Sequence, residues 1–288
     1  MPTNHYLVRA YFNLTSLVAS KAHKAHDQSL YKVFMLVDTS DALSSVEGNQ
    51  FSIFTQKFHN SVSKTIGQFR GSVDRSNNSS YWVWFADASD AVLCAMEIRH
   101  KFKYVTPKNE AFKRQLAIGV TLVPEKASEK IQNKAIRQAS RMCEYVDRIL
   151  VFSSEVRMAY EKENKNAKVD RMLVRVLSAS EETFLTRVLD HVEKNSLDPT
   201  FTIAALGADL QIGKSRLYRT MVRLTSRSPS QFIREFRLAK ALKMLHDRTD
   251  TISGIAQACG FQSPSYFSRC FREYYGLLPS RYLQQHAR

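Results

Sequence analysis

Residues 251–271, TISGIAQACGFQSPSYFSRCF, decide how the C-terminal half is read, because TIAALGADLQI, residues 202–212, carries the same pattern 49 positions earlier. Thr202, Ile203, Leu206, Leu210 and Ile212 stand opposite Thr251, Ile252, Ile255, Cys259 and Phe261. After a one-residue insertion, GKSRLYRTM (213–221) aligns with SPSYFSRCF (263–271), so Leu217 faces Phe267 and Arg219 faces Arg269. Each copy has apolar residues at helical spacing, a break, and a second helical run. Ser263 is a good N-cap, and Pro264 falls at the first helical position, where its missing N–H costs nothing. Between the copies, EFRLAKALKML (235–245) puts Phe236, Ala239, Leu242 and Leu245 on one helical face. The pattern predicts two helix-turn-helix units joined by one helix.

Two such units can set two recognition helices in successive major grooves, ~34 Å apart along one face of DNA. The residues opposite the apolar stripe are then the base readers. They are Lys214, Ser215, Tyr218 and Arg219 in the first unit, and Ser265, Ser268 and Arg269 in the second. An Arg suits the task because its planar fork matches the two acceptors on a guanine edge.

Charge points the same way. The 288 residues carry 42 Lys and Arg against 27 Asp and Glu, a net charge of +15 that favours a polyanionic partner. Residues 183–288 hold net +8 over 106 positions, whereas the preceding 182 hold +7, so the helical half is about twice as basic per residue. The length suits two domains of ordinary size, and 44% hydrophobic residues with 9 Gly and 7 Pro exclude a disordered or collagen-like chain. No apolar run approaches the ~18 residues that span a bilayer, and MPTNHYLVRAYFNL lacks the features of a signal peptide. Cys94, Cys143, Cys259 and Cys270 form no C-x-x-C pair and read as reduced thiols, mostly in cores. These signs lead us to expect a cytoplasmic protein that does not enter a membrane.

Three pieces, LYRTM (217–221), RLAKALKML (237–245) and IAQACGFQSPSYFSRCFREYYGLLPSRYL (255–283), resemble the DNA-binding domain of the AraC/XylS family of bacterial transcription regulators. The resemblance implies a sequence-specific regulator acting on double-stranded DNA, with RNA polymerase as a further contact. Pro264 and Ser265 stand where that family has longer polar residues, so the first unit is expected to dominate specificity.

The N-terminal half alternates β-like and helical runs: YKVFMLVD (31–38), a helical stretch from Gln50 to Phe69, YWVWFA (81–86), a helix over Ala88–Tyr104, RQLAIGVTLV (114–123), a helix around Ala135–Tyr145, and RILVFS (148–153). Such interleaving predicts an α/β sandwich. The order of pieces resembles the catalytic domain of class III nucleotidyl cyclases, a ferredoxin-like fold. That resemblance implies two metal-binding carboxylates. Asp38 matches the first, but Ser79 occupies the second position and Asn78 replaces the turn glycine before it. Arg75 stands where a base-reading Lys belongs, and Arg137-Gln138-Ala139-Ser140-Arg141 keeps the Arg of the transition-state motif without its Asn. Strand register brings neither Asp74 nor Asp87 to the vacant carboxylate position. Two-metal catalysis needs both carboxylates. No metal site follows from the spacing of His, Cys and acidic residues, and no P-loop, G-x-S-x-G motif or catalytic triad occurs.

The expected fold class is therefore α+β: a ferredoxin-like, cyclase-type α/β sandwich followed by an all-α domain with two helix-turn-helix units. The expected division is an N-terminal extension (1–30), a sensing or dimerisation domain (31–160), a linker (161–182) and an AraC-type domain (183–288). Asp38, Arg75, Arg137 and Arg141 are expected around a vestigial nucleotide cleft, with a nucleotide as the effector to test and no resident cofactor or metal. The chain is expected to be a homodimer and not an enzyme. The competing reading is an active cyclase with atypical metal ligands, tethered to DNA.

Overall fold

A computed structural model describes residues 30–40, 48–77, 80–105, 115–165 and 167–285. The expected extension, apart from Leu30, lies outside the described residues, as do Asn78 and Ser79. The protein is a mixed α+β structure, an N-terminal sheet followed by a helical domain.

Strand β1 (Tyr31–Ser40) is followed by α1 (Gly48–Gln68), β2 (Ser72–Ser76), β3 (Ser80–Phe85), α2 (Ala88–Val105), β4 (Gln115–Pro124), α3 (Glu129–Tyr145), β5 (Leu150–Ser153), α4 (Ser154–Glu163) and β6 (Val174–Leu177). The six strands form one sheet in the order β2-β3-β1-β4-β5-β6. β1 pairs antiparallel with β3 and β4, and β5 joins β4 and β6 in parallel. The central strand β1 is apolar at every position from Val33 to Val37 because both its faces are covered. Val33, Met35 and Val37 meet Tyr81, Val83 and Phe85 of β3 under α1, α2 and α4. Phe34 and Leu36 point to the other face, with Trp82, Trp84, Ala135 and Ala139. The alternation in YWVWF thus splits its aromatics between two cores.

Helix α3 lies close on that second face because β4 offers Gly119. A Cβ at Gly119 would stand 2.5 Å from the Ala139 carbonyl oxygen, so any side chain there would push the helix off the sheet.

The helical domain runs α5 (Ala179–Asn195), α6 (Ile203–Asp209), α7 (Lys214–Thr225), α8 (Pro229–His246), α9 (Ile252–Ala258), α10 (Pro264–Tyr275) and α11 (Pro279–Gln285). It holds two separate cores. Leu206, Leu217, Met221 and Phe232 pack with α5 in the first, and Ile255, Cys259, Phe267, Phe271 and Tyr282 pack in the second. α8 passes through both, giving Phe232 and Ile233 to one and Leu238, Ala241 and Leu245 to the other.

The segment 161–182 corrects the expectation of a linker. It contains the end of α4, strand β6 and the start of α5. Its polarity misled because two of its acids, Glu163 and Glu181, cap helices, while Lys162, Lys165, Lys168 and Arg171 face water. The Glu163 carboxylate accepts from Ala88 N (3.0 Å) and Ser89 N (2.7 Å), at the start of α2, and from the Tyr31 hydroxyl. Glu181 closes a capping box with Ser178 on α5. The sheet and the first helix-turn-helix unit also share a core: Met142, Val146, Val151 and Leu177 pack with α5–α8.

Among the described residues no helix is long and apolar enough to cross a membrane. Cys94, Cys259 and Cys270 are buried and Cys143 is partly so; all four are free thiols.

Candidate nucleic-acid interface

Each copy of the repeat builds its helices in the same way. The side chains of Thr202 and Thr251 cap α6 and α9 by accepting from Ala205 N and Gly254 N. Leu217 and Phe267 are fully buried at matching positions of α7 and α10. With that face fixed inward, Lys214, Ser215, Tyr218 and Arg219 are exposed on α7, and Ser265 and Arg269 on α10, with Ser268 half-buried. The helix bodies differ at their starts: Ser263 caps α10 through Tyr266 N, while α7 begins at Gly213 without a side-chain cap.

The two arginines are held differently. Arg219 lies along its own helix, its Nε donating to the Ser215 carbonyl at 3.4 Å, and makes no ion pair among the described residues. Arg269 sits 5.2 Å from the ring centre of Tyr266 and 4.0 Å from Glu273. Tyr266 was missed by the sequence reading, although it lies three residues before Arg269 on the same helix face. It is 41% exposed, so an aromatic surface accompanies the arginine.

The far end of α7 is anchored to the sheet. Asp147 N donates to the Leu224 carbonyl at 3.0 Å, and the Ser226 hydroxyl donates to the Asp147 carboxylate. Arg223 pairs with Glu181 at 3.1 Å, and Glu181 also holds Arg175 of β6 at 2.7 Å. Hydrogen bonds from Ser178 with Arg175 and Arg223 outweigh burial and hold the Glu181 carboxyl below its ordinary range. Helix α7 therefore presents its N-terminal half while Asp147 and Glu181 hold its C-terminal end.

Residues 206–285 match the model of a helix-turn-helix domain family. The C-terminal domain is an AraC-type helix-turn-helix domain. The chain is 30% identical over 133 residues to histidine kinase P4 of Formosa agariphila, covering 46% of this chain and 10% of that protein. It is 30% identical over 118 residues to the HTH-type transcriptional regulator GadX of Escherichia coli O157:H7, covering 41% of this chain and 42% of GadX. The chain thus spans less than half the length of both relatives. Among solved structures, the monomeric guanylyl cyclase domain of a fusion protein from Blastocladiella emersonii is similar over 39% of this chain and 75% of its own, at 13% identity and a TM-score of 0.32. That likeness is too slight to bear on what the sheet does.

Of the four residues expected around a nucleotide cleft, Arg137 and Arg141 are engaged elsewhere. Arg141, with 7% of its side chain exposed, pairs with Asp190 at 2.5 Å and Glu193 at 3.0 Å on α5. Arg137 pairs with the same two carboxylates. Both arginines thus latch the sheet to the helical domain, a correction that no spacing within IRQASR could signal, because the acids lie about 50 residues away. Arg75 is exposed on the edge strand β2, 5.2 Å from the Trp82 ring centre. Asp38 lies within β1, on the face that carries α3. Among the described residues no group of three or more His, Cys, Asp and Glu is placed to hold a metal ion.

A cavity of about 450 Å³ lies between α3, α5, α8 and α10, lined by Tyr145, Phe232, Phe236 and Tyr274 with Glu144 and Glu193. Burial, with Asp38 and Glu193 nearby, pushes the Glu144 carboxyl above its usual range.

The latch is measurable. Arg141→Ala leaves two carboxylates without their buried partner, and we expect it to lower unfolding stability by about 2–3 kcal/mol in chemical denaturation. A loss below half a kcal/mol would show that Arg137 alone suffices.

Proposed function

We propose that the protein is a sequence-specific DNA-binding transcription regulator whose two recognition helices read two neighbouring half-sites. The observation that carries this is the repeat itself: two units, packed alike, expose Arg219 and Arg269 at matching positions of a strongly basic domain. Selection of bound DNA from a random pool tests it. Enrichment of a site with two short elements is expected, with log affinity falling against log salt by about 0.9 per phosphate neutralised. No enrichment, or binding indifferent to salt, would refute it.

Within such a site we expect Arg269→Ala to weaken binding with only a small change in base preference. Ser265 and Ser268 offer few base contacts, and Arg269 shares its charge with Glu273, so the second unit mainly positions the protein on the backbone. A base-substitution scan showing sharp discrimination in the second element, lost in this variant, would contradict this.

We further propose that the sheet is a ferredoxin-like, cyclase-type domain that lacks catalysis and makes the chain a homodimer. In its support, β1-α1-β2-β3-α2-β4 follows the β-α-β-β-α-β order of that fold, with neighbours β4-β1-β3-β2. Ser79 stands in the sequence where a second metal-binding carboxylate belongs. Sedimentation of the full chain addresses the dimer, and incubation with Mg or Mn and ATP or GTP addresses the competing cyclase reading. An anionic effector such as a nucleotide would have to displace Asp190 and Glu193 from Arg137 and Arg141. RNA polymerase, in the cytoplasm, is the further partner proposed.

A further inference from the structure

We propose that Arg237 is a positioning residue that fixes the distance and angle between the two recognition helices, and so the half-site spacing that the protein accepts. This rests on the DNA-binding reading above. The two helix-turn-helix units have separate cores, and α8 runs from one into the other. One helix alone sets a distance but leaves the units free to bend and twist about it. A second tie is needed to fix their orientation.

That tie runs through the turn after α5. Arg237, on α8 between its two core-facing halves, donates from Nε to the Ser196 carbonyl at 2.6 Å and from Nη2 to the Asp198 carbonyl at 2.9 Å. The same turn lies against Gly260, in the bend between α9 and α10. A Cβ at Gly260 would stand 2.9 Å from the Leu197 carbonyl oxygen, and 3.0 Å from both the Ser196 oxygen and Arg237 Nε. Three segments therefore meet at one guanidinium: the end of α5, the bridging helix, and the turn of the second unit.

The repeat supplies an internal control. Gly260 is left-handed, with φ +77°, which alone would account for a glycine. At the equivalent position of the first unit Gln211 is also left-handed, with φ +55°, and carries a full side chain. The bend of a helix-turn-helix unit thus accommodates a side chain there. At position 260 a Cβ would in addition meet the turn after α5, at Ser196 and Leu197, and Arg237 itself. Arg237 suits the joint because its fork holds two donors in a fixed plane; a Lys would offer one point charge on a flexible stem. Burial lowers the Arg237 pKa from its ordinary value, with Asp198 opposing.

The test is affinity of the full-length chain for the selected site and for versions lengthened or shortened by one or two base pairs between the elements. For the parent, discrimination of about tenfold or more against altered spacing is expected, since each base pair moves and rotates one element relative to the other. For Arg237→Lys we expect unchanged base preferences within each element, with spacing discrimination reduced to about threefold or less. Gly260→Ala, which displaces the same joint from the other side, should relax spacing likewise. A loss of affinity equal at every spacing would assign Arg237 a merely structural role and overturn the proposal, as would retention of the parent's spacing profile by Arg237→Lys. If instead the parent enriches no DNA, the DNA-binding reading fails first and this one falls with it.

Discussion

Arg219→Ala is expected to lower affinity for the selected site by about 5- to 150-fold, ~1–3 kcal/mol, and to relax preference at one or two adjacent base pairs. Arg219 is exposed on the half of α7 that the sheet leaves open, whereas Arg223, one turn on, is engaged by Glu181. Removing Arg219 therefore takes away a base contact without disturbing the helix that carries it. Leu217 and Met221, which hold α7 in the first core, are untouched. The measurement is a base-substitution scan of the selected site with parent and variant. Equal affinity and an unchanged preference profile would show that α7 does not read bases. A uniform loss at all sites, with a salt slope shallower by about one, would make Arg219 a phosphate contact instead.

Much of the helical domain is legible in its sequence because its design is local. Thr202, Thr251 and Ser263 cap helices whose starts they mark, and the apolar spacing from Leu217 and Phe267 tells which arginines face out. The sheet is legible by its strands for the same reason, since VFMLV can be apolar throughout only if both faces are covered. What the chain does not announce is how distant charges meet. Glu163, Glu181 and Arg141 are indistinguishable from solvated surface residues until the fold brings α2, β6 and α5 beside them. This is why 161–182 reads as a linker, and why Arg137 and Arg141 read as part of a nucleotide cleft. The shared core is hidden likewise: Val151 and Leu177 satisfy a strand pattern whichever helices lie over them. The missed Tyr266 is of another kind. Its spacing from Arg269 was visible, and what it lacked was a reason to prefer an aromatic on a face read for polar groups.

The separateness of the two helical cores makes the second prediction sharp. Phe267 is fully buried, with ring centres 5.1 Å from Phe261 and 5.6 Å from Phe271, at the middle of the second core. Phe267→Ala is expected to cost that unit ~3–5 kcal/mol, because a cavity remains where three rings met. A unit built on few buried side chains has little stability in reserve. The first unit has its own core, reinforced by Met142 and Val146 at the end of α3 and by Val151 and Leu177 from the sheet, and should be spared. Unfolding followed by heat or denaturant should then split into two transitions, the early one confined to α9–α11. On DNA, the variant should keep the base preferences read by α7 and lose the second element together with any spacing requirement, leaving a protein that recognises one half-site. A single cooperative transition, lowered as a whole, would mean that α8 and the Arg237 joint weld the two cores into one folding unit. In that case the half-sites would be lost together, and the two helix-turn-helix units could not act as separable readers.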